Sequence, residues 1–248
     1  MRLKEALGVS SGDVVAFVGA GGKSSAILAL ATELKETGLR VLALPTTKMF
    51  QSEADRIGAT VTAGDPEALR NAVERAFASN RSVVAGGGLL SKKRIAGVAP
   101  AQVPDLARLA DVTLVEADGA RRRLIKGTAD HEPALPAGVS LVVAVGNIEA
   151  FGKPVSEDHV HRPELFSRLT GVGPGQSITA RAFARALQKG SLQNIPETAR
   201  AAALITGVEP GPRMADASVV ARELWRSGIK RVVFASLDPD RPARVWIP

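Results

Sequence analysis

Short apolar runs alternate with stretches of helical spacing along nearly the whole chain. Val14 to Val18 opens the series as a buried strand. A glycine turn follows it, and Ala26 to Lys35 repeats apolar residues at the three- and four-residue spacing of an amphipathic helix. Gly38 makes a helix stop, and Leu39 to Leu44 predicts a second buried strand ending at Pro45. Ala54 to Ala59 and Thr60 to Ala63 predict a short helix and strand, Pro66 to Ala78 a helix, and Ser82 to Ala85 a strand running into Gly86-Gly87-Gly88. Val103 to Ala110 has helical spacing, and Val112 to Val115 is a compact strand that ends in acid. Beyond it, strands are predicted at Ser140 to Val145, Ala201 to Ile205 and Arg231 to Ala235, with an edge strand at Ala243 to Ile247. Helices are predicted at Glu164 to Leu169, Thr179 to Lys189 and Ala215 to Ser227. The glycine-rich segment 171–175 is either a mobile loop or an ordered turn between helices. Strands alternating with helices predict an α/β fold, a mostly parallel sheet flanked by helices on both faces, with ligands at the carboxyl ends of the strands. No repeat or obvious linker interrupts residues 1–248, so a single domain is expected.

Composition narrows the chemistry. The 248 residues are 45% hydrophobic, without an apolar run of membrane-spanning length, which predicts a soluble protein. The opening Met1 to Leu7 is too polar and brief for a secretory signal, so a cytoplasmic location is expected. The absence of cysteine excludes a disulfide framework, a thiolate zinc site and a cysteine-held iron–sulfur cluster. A formal charge of +7 favours anionic partners. Aromatic residues total only 4%, however, and stacking platforms for nucleic acid need them beside basic groups. A nucleotide is therefore expected ahead of nucleic acid.

The turn Gly19-Ala20-Gly21-Gly22-Lys23-Ser24-Ser25 stands between the first strand and its helix, the layout of a phosphate-binding loop. Backbone N–H groups then converge at a helix start, where the peptide dipoles favour an anion. Lys23 would neutralise phosphate oxygens and Ser24 would ligate magnesium. The glycine lies four residues before the lysine rather than six, a tighter spacing that resembles the loop of Mur-type ligases more than that of Ras-like GTPases. The plainer alternative is a strand-to-helix turn with an incidental lysine.

A second acidic element completes the candidate site. The strand from Val112 ends in Glu116-Ala117-Asp118-Gly119-Ala120, and carboxylates at a strand end near a phosphate loop can hold magnesium directly or through its water. Spacing does not choose between Glu116 and Asp118 as the acid that meets the metal, and a turn-forming Asp118 with an ion-paired Glu116 is the alternative. Thr47, in Thr46-Thr47-Lys48, can reach the same metal or serve only as a helix cap. Arg121, Arg122 and Arg123 with Lys126 follow the acidic block, either to stabilise charge on a transferring phosphoryl group or as a solvated basic surface. The three histidines, His131, His159 and His161, are too few for a convincing metal set, and ordinary polar contacts are expected of them.

Taken with His131-Glu132-Pro133, Gly152-Lys153-Pro154 and His161-Arg162, these motifs resemble the YqeC family over about residues 12 to 236. The resemblance implies a P-loop nucleotide-binding protein with an NTPase-like three-layer sandwich. It further implies an accessory factor for selenium-dependent molybdenum hydroxylases, acting on the hydroxylase or its cofactor. Lys23, Ser24, Glu116 and Asp118 fall at the family's motif positions, and Lys126 matches a lysine that precedes its Glu-Pro pair. Where guanine-selective proteins carry Asn-Lys-x-Asp, this chain has Thr206-Gly207-Val208-Glu209; Glu209 could mimic the aspartate, but ATP is as well supported as GTP. The expected activity is slow, magnesium-dependent NTP hydrolysis with Lys23, Glu116, Asp118 and Lys126 as candidate catalytic side chains. The alternatives are a ligase or kinase acting on a small molecule, and a nucleotide sensor without turnover.

Overall fold

The computed structural model describes residues 1–236 and 242–248. Nine strands form one sheet: β1 (Val14–Gly19), β2 (Val41–Pro45), β3 (Ala59–Thr62), β4 (Ser82–Gly86), β5 (Val112–Glu116), β6 (Leu141–Asn147), β7 (Arg200–Thr206), β8 (Val232–Phe234) and β9 (Arg244–Val245). Their order across the sheet is β9-β8-β7-β6-β1-β5-β2-β4-β3. Every neighbouring pair is parallel except β8 with β9, which closes one edge antiparallel. The expected α/β architecture is the one observed.

Side chains alternating along each strand divide the core into two layers. Val15 and Phe17 of β1 point into one, with Val41 and Ala43 of β2; the helix Lys23–Glu36 covers it through Ile27, Leu30 and Leu34. Ala16 and Val18 point the opposite way, with Leu42 and Leu44, under the helices Pro66–Phe77 and Pro212–Arg226. Both faces of β1 and β2 are therefore buried, which is why their sequences read as unbroken apolar runs. Phe17 is fully buried, and truncating such a side chain to alanine typically costs about 3–5 kcal/mol.

Parallel register carries the chemistry to one edge of this sheet. Gly19 pairs with Val145 near the end of β6, Phe17 and Pro45 both pair with Glu116, and Asn147 pairs with Thr206. The glycine turn, Glu116, the Thr46-Thr47 segment, Asn147 and Thr206 thus emerge side by side.

Several sequence expectations are corrected. The helix expected to reach Ala110 stops at Ala107 and closes in tight turns through Leu109 and Ala110. That expected over Thr179 to Lys189 is helical from Ala180 to Arg185 and widens into a π-type turn over Ala186–Ser191. Residues 171–175 form an ordered turn, with Gly171 in the left-handed conformation capping a helix and Gly175 N–H bonded to Val155 O. Two small sheets were not anticipated: Met49–Phe50 with Arg94–Ala96 and Gly88–Ser91, and Ile125–Lys126 with Val160–His161. Their strands are too short to show a two-residue alternation. No helix among the described residues is long and apolar enough to cross a membrane.

Candidate functional site

The turn after β1 follows a path only glycine takes readily. Gly19, Gly21 and Gly22 have φ of 92°, 81° and 124°. A Cβ on Gly21 would lie 2.6 Å from Asn147 Cβ and 2.7 Å from Asn147 N, so the loop is pressed against the end of β6. Ala20 N–H donates to Val145 O, and Thr206 Oγ1 donates to Gly21 O from the end of β7. Gly22 caps the helix Lys23–Glu36 without any side-chain capping bond, and the first bond of its ladder is Ala26 N–H to Gly22 O. The N–H groups of the first turn therefore lack intrahelical partners and carry the positive end of a 14-residue dipole.

Beneath this turn lies a buried chain of charges. Lys23, only 4% exposed, donates to Gly19 O at 2.6 Å and stands 3.1 Å from Asp118 Oδ1, without the alignment of a hydrogen bond. Asp118 Oδ2 accepts from Gly19 N–H and from Lys126 Nζ, both at 2.9 Å. Lys126 Nζ also approaches Glu132 Oε2 at 3.1 Å, and Arg162 Nη1 reaches that same oxygen at 2.7 Å. Burial pushes the Asp118 carboxyl up, but the ammonium groups of Lys23 and Lys126 prevail and hold it below the usual range. Burial likewise opposes ionisation of Glu132, and Lys126 and Arg162 again lower it.

Glu116 has the opposite balance. Burial pushes its carboxyl above the usual range, against the attraction of Lys23 and the hydrogen bond that Ser24 Oγ donates to its Oε2 at 3.2 Å. Its neighbour Thr46 donates to the Glu116 carbonyl oxygen, and Thr47 and Lys48 line the same cavity as the carboxyl.

A cavity of about 1230 Å³ opens on this surface, lined by Gly21, Gly22, Lys23, Ser24 and Ser25 of the turn, by Thr47, and by Glu116. Its lining also carries Arg94, Arg121, Arg122, Arg123 and Arg162. Seven basic side chains line it against five acidic ones, so the cavity favours anions.

The structure thus brings Gly21, Gly22, Ser24, Ser25, Thr47 and Glu116 together on the open side, whereas the Lys23 ammonium, expected to neutralise phosphate oxygens, turns inward to Gly19 O and Asp118. Gly19, Ala20, Asp118 and Lys126 lie behind the turn instead. The expectation that Asp118 could meet a metal is corrected: both its oxygens face ammonium groups or a backbone N–H in a site 2% exposed. Lys126, expected beside the reacting groups, is sealed with it. Glu209 does not line this cavity; Ser236 Oγ donates to its carboxylate beside a separate cleft of about 180 Å³. Thr206, the first residue of that expected base-reading segment, grips the loop.

Sequence inspection passed over Asn147, Phe50 and Arg94. Asn147 carried one usable signal, a polar residue closing a buried strand parallel to β1. Phe50 carried none, yet its ring lies between the guanidinium groups of Arg94, 4.5 Å away, and Arg122, 4.4 Å away. His161 sits in the short strand beside Lys126; burial and the cations Lys126, Arg162 and Arg121 lower its pKa to about 4.

Comparison with known proteins places these features. A family model described as "YqeC protein" matches residues 15–164, a span that contains every residue lining the large cavity. The chain is also 31% identical over 191 residues to a protein of Escherichia coli (strain K12) described as "Uncharacterized protein YqeC", covering 75% of this chain and 73% of that one.

Proposed function

The chain belongs to the YqeC family, and we propose that it is a magnesium-dependent nucleoside-triphosphate-binding protein, a slow NTPase of the P-loop type that serves maturation of a molybdenum hydroxylase. The observation that carries the nucleotide part is the uncapped, glycine-lined start of the helix Lys23–Glu36, opening on a net-cationic cavity large enough for a nucleotide. ATP and GTP both meet these demands.

Magnesium fits the donor set on the open side. Ser24 Oγ and Glu116 Oε2 lie 3.2 Å apart at the cavity wall, with Thr47 on the same wall, and a carboxylate disfavoured by burial gains from a divalent cation. No group of three His, Cys, Asp or Glu side chains gathers as a metal site among the described residues. The ion would instead be shared with phosphate oxygens and water, the usual habit of magnesium. When bound, it supplies charge neutralisation across the terminal phosphates. The chain's own groups then divide the work. Backbone N–H groups from Gly21 to Ser25 bind phosphate oxygens, Ser24 and Glu116 hold the ion, and Glu116 orients a water molecule. Lys23 acts from inside the turn, where Asp118 already offsets its charge. Turnover is accordingly slow.

The test is a thermal-shift panel of ATP, GTP and CTP with and without magnesium. A ligand at a hundred times its Kd stabilises by about 2.7 kcal/mol, or roughly 5–11 °C for a chain of this size. No magnesium-dependent shift with any triphosphate would refute nucleotide binding. Ser24→Ala should abolish the magnesium dependence first.

A second activity, phosphoryl transfer to a small acceptor, is favoured by one observation: the cavity exceeds the roughly 300–1,000 Å³ of most ligand sites. Acceptor-dependent ADP release would identify it. The maturation role rests on the family resemblance, and cofactor content of a molybdenum hydroxylase purified from cells lacking this protein tests it.

A further inference from the structure

The lining of the cavity also contains an unusual reverse turn. Arg123 N–H donates to Ala120 O at 2.9 Å, which closes a four-residue turn whose two central residues are Arg121 at φ 47° and Arg122 at φ 59°. Two consecutive positive φ values define the type I′ family, whose central positions favour Asn-Gly, Asp-Gly or Gly-Gly because a Cβ is penalised there. Here both are arginine. Arg162, on the same cavity, is also left-handed at φ 58°. Among the described residues only four non-glycine residues have positive φ, and three of them are these cavity-lining arginines.

Internal contacts account for two of the three. Arg162 pairs with Glu132 at 2.7 Å, while Arg122 stacks on Phe50 and approaches Glu53 at 3.4 Å. Arg121 makes no hydrogen bond, ion pair or ring contact among the described residues, although it is exposed at the cavity and close enough to His161 to oppose its protonation. A strained backbone that presents an unmatched guanidinium to a cavity is a feature concentrated at ligand sites.

We propose that Arg121 and Arg162, beside His161, form a second anion subsite in the same cavity as the glycine turn, and that it takes a phosphate-bearing small molecule as the second substrate of this pocket. Planar guanidinium forks match phosphate oxygens two at a time, and two such groups suit a dianionic phosphate better than a single carboxylate. The inference builds on the nucleotide-binding proposal by naming the class of the other ligand, but its test is independent of nucleotide binding.

The probe is inorganic pyrophosphate without divalent metal, followed at the His161 imidazole by proton–carbon NMR near pH 6, with succinate as the carboxylate arm. An anion between Arg121 and Arg162 favours the imidazolium, so the His161 signal should move saturably toward its protonated position with pyrophosphate and stay still with succinate. It should move equally in Ser24→Ala, whose hydroxyl bonds Glu116 and lies outside the chain of charges that runs from Lys23 to Arg162. Arg121→Asn should weaken pyrophosphate at least tenfold. The combination of Arg121→Asn with Arg122→Gly, residues that accept the turn's dihedrals, should do the same. A stationary His161 or undiminished binding by Arg121→Asn would overturn the subsite. A response to succinate alone would overturn the phosphate assignment. Failure of the nucleotide proposal reads differently: triphosphates leave Tm unchanged while pyrophosphate still moves His161.

Discussion

Asp118→Asn isolates the electrostatic core of the site. Asparagine keeps the shape and an acceptor for Gly19 N–H, but removes the charge facing Lys23 at 3.1 Å and Lys126 at 2.9 Å. Lys126 retains Glu132, whereas Lys23 is left with the Gly19 carbonyl and the attraction of Glu116 in a site 4% exposed. Removing one partner of a buried ion pair typically costs about 3–5 kcal/mol, because the remaining charge stays desolvated. With Glu132 still in place the lower end applies, and about 3 kcal/mol corresponds to a Tm loss of roughly 6–12 °C. Thermal unfolding followed by circular dichroism at neutral pH measures it. Acid provides a second readout. The folded Asp118 carboxyl titrates below its unfolded value of 3.8, so its contribution is fully present above that value and fades as pH falls through the folded one. The variant should lose that part of the acid dependence. Adding Lys23→Met to Asp118→Asn should recover part of the loss, since the ammonium that lost its carboxylate partner is gone. A Tm change under about 3 °C, or strict additivity of the two substitutions, would refute the charge chain as a coupled unit.

Glu116→Gln should raise Tm at neutral pH in the absence of magnesium, because the folded carboxyl titrates above 4.5 and its ionised form is opposed by burial; the same change should remove any magnesium-dependent stabilisation. A lower metal-free Tm would contradict this. Gly21→Ala places a Cβ against Asn147 at a left-handed position and should cost about 2–5 kcal/mol by chemical denaturation, with loss of nucleotide response. In a pH titration by NMR, His161 should remain neutral until the pH approaches about 4, well below its ordinary 6.5. Because the unfolded chain takes up that proton first, stability should fall as pH drops from 6.5 toward 4. A His161 midpoint near 6.5 would remove the cationic surroundings assigned to it.

The framework of the site was readable because it depends on local order. Val14–Gly19, the glycines and Lys23–Glu36 are contiguous, and a strand, turn and helix in that sequence admit few geometries. Strand register could be anticipated only as far as both-face burial implied a parallel sheet, which then carried Glu116 to the same edge. The inward turn of Lys23 was not legible. Spacing placed Glu116 and Asp118 two residues apart near the loop, but the direction each faces depends on Lys126 and Glu132, which approach through a small sheet of two-residue strands. Lys126 was expected beside the reacting groups, and the structure puts it beneath the turn, sealed against Asp118. The left-handed arginines were equally hidden, since nothing in Arg121-Arg122-Arg123 departs from an ordinary basic surface until the turn is seen.

The glycine turn is fastened from several directions: Gly19 N–H to Asp118, Ala20 N–H to Val145, Lys23 to Gly19 O, and Thr206 to Gly21 O. Its ordering entropy is thus lost during folding and does not recur when an anion arrives. An occupant would find a mould already set, and the backbone from Gly19 to Ser24 should shift by less than about 1 Å on filling. Adaptation to different occupants then falls to the long arginine side chains of the same cavity, which pairs a rigid backbone with compliant side chains.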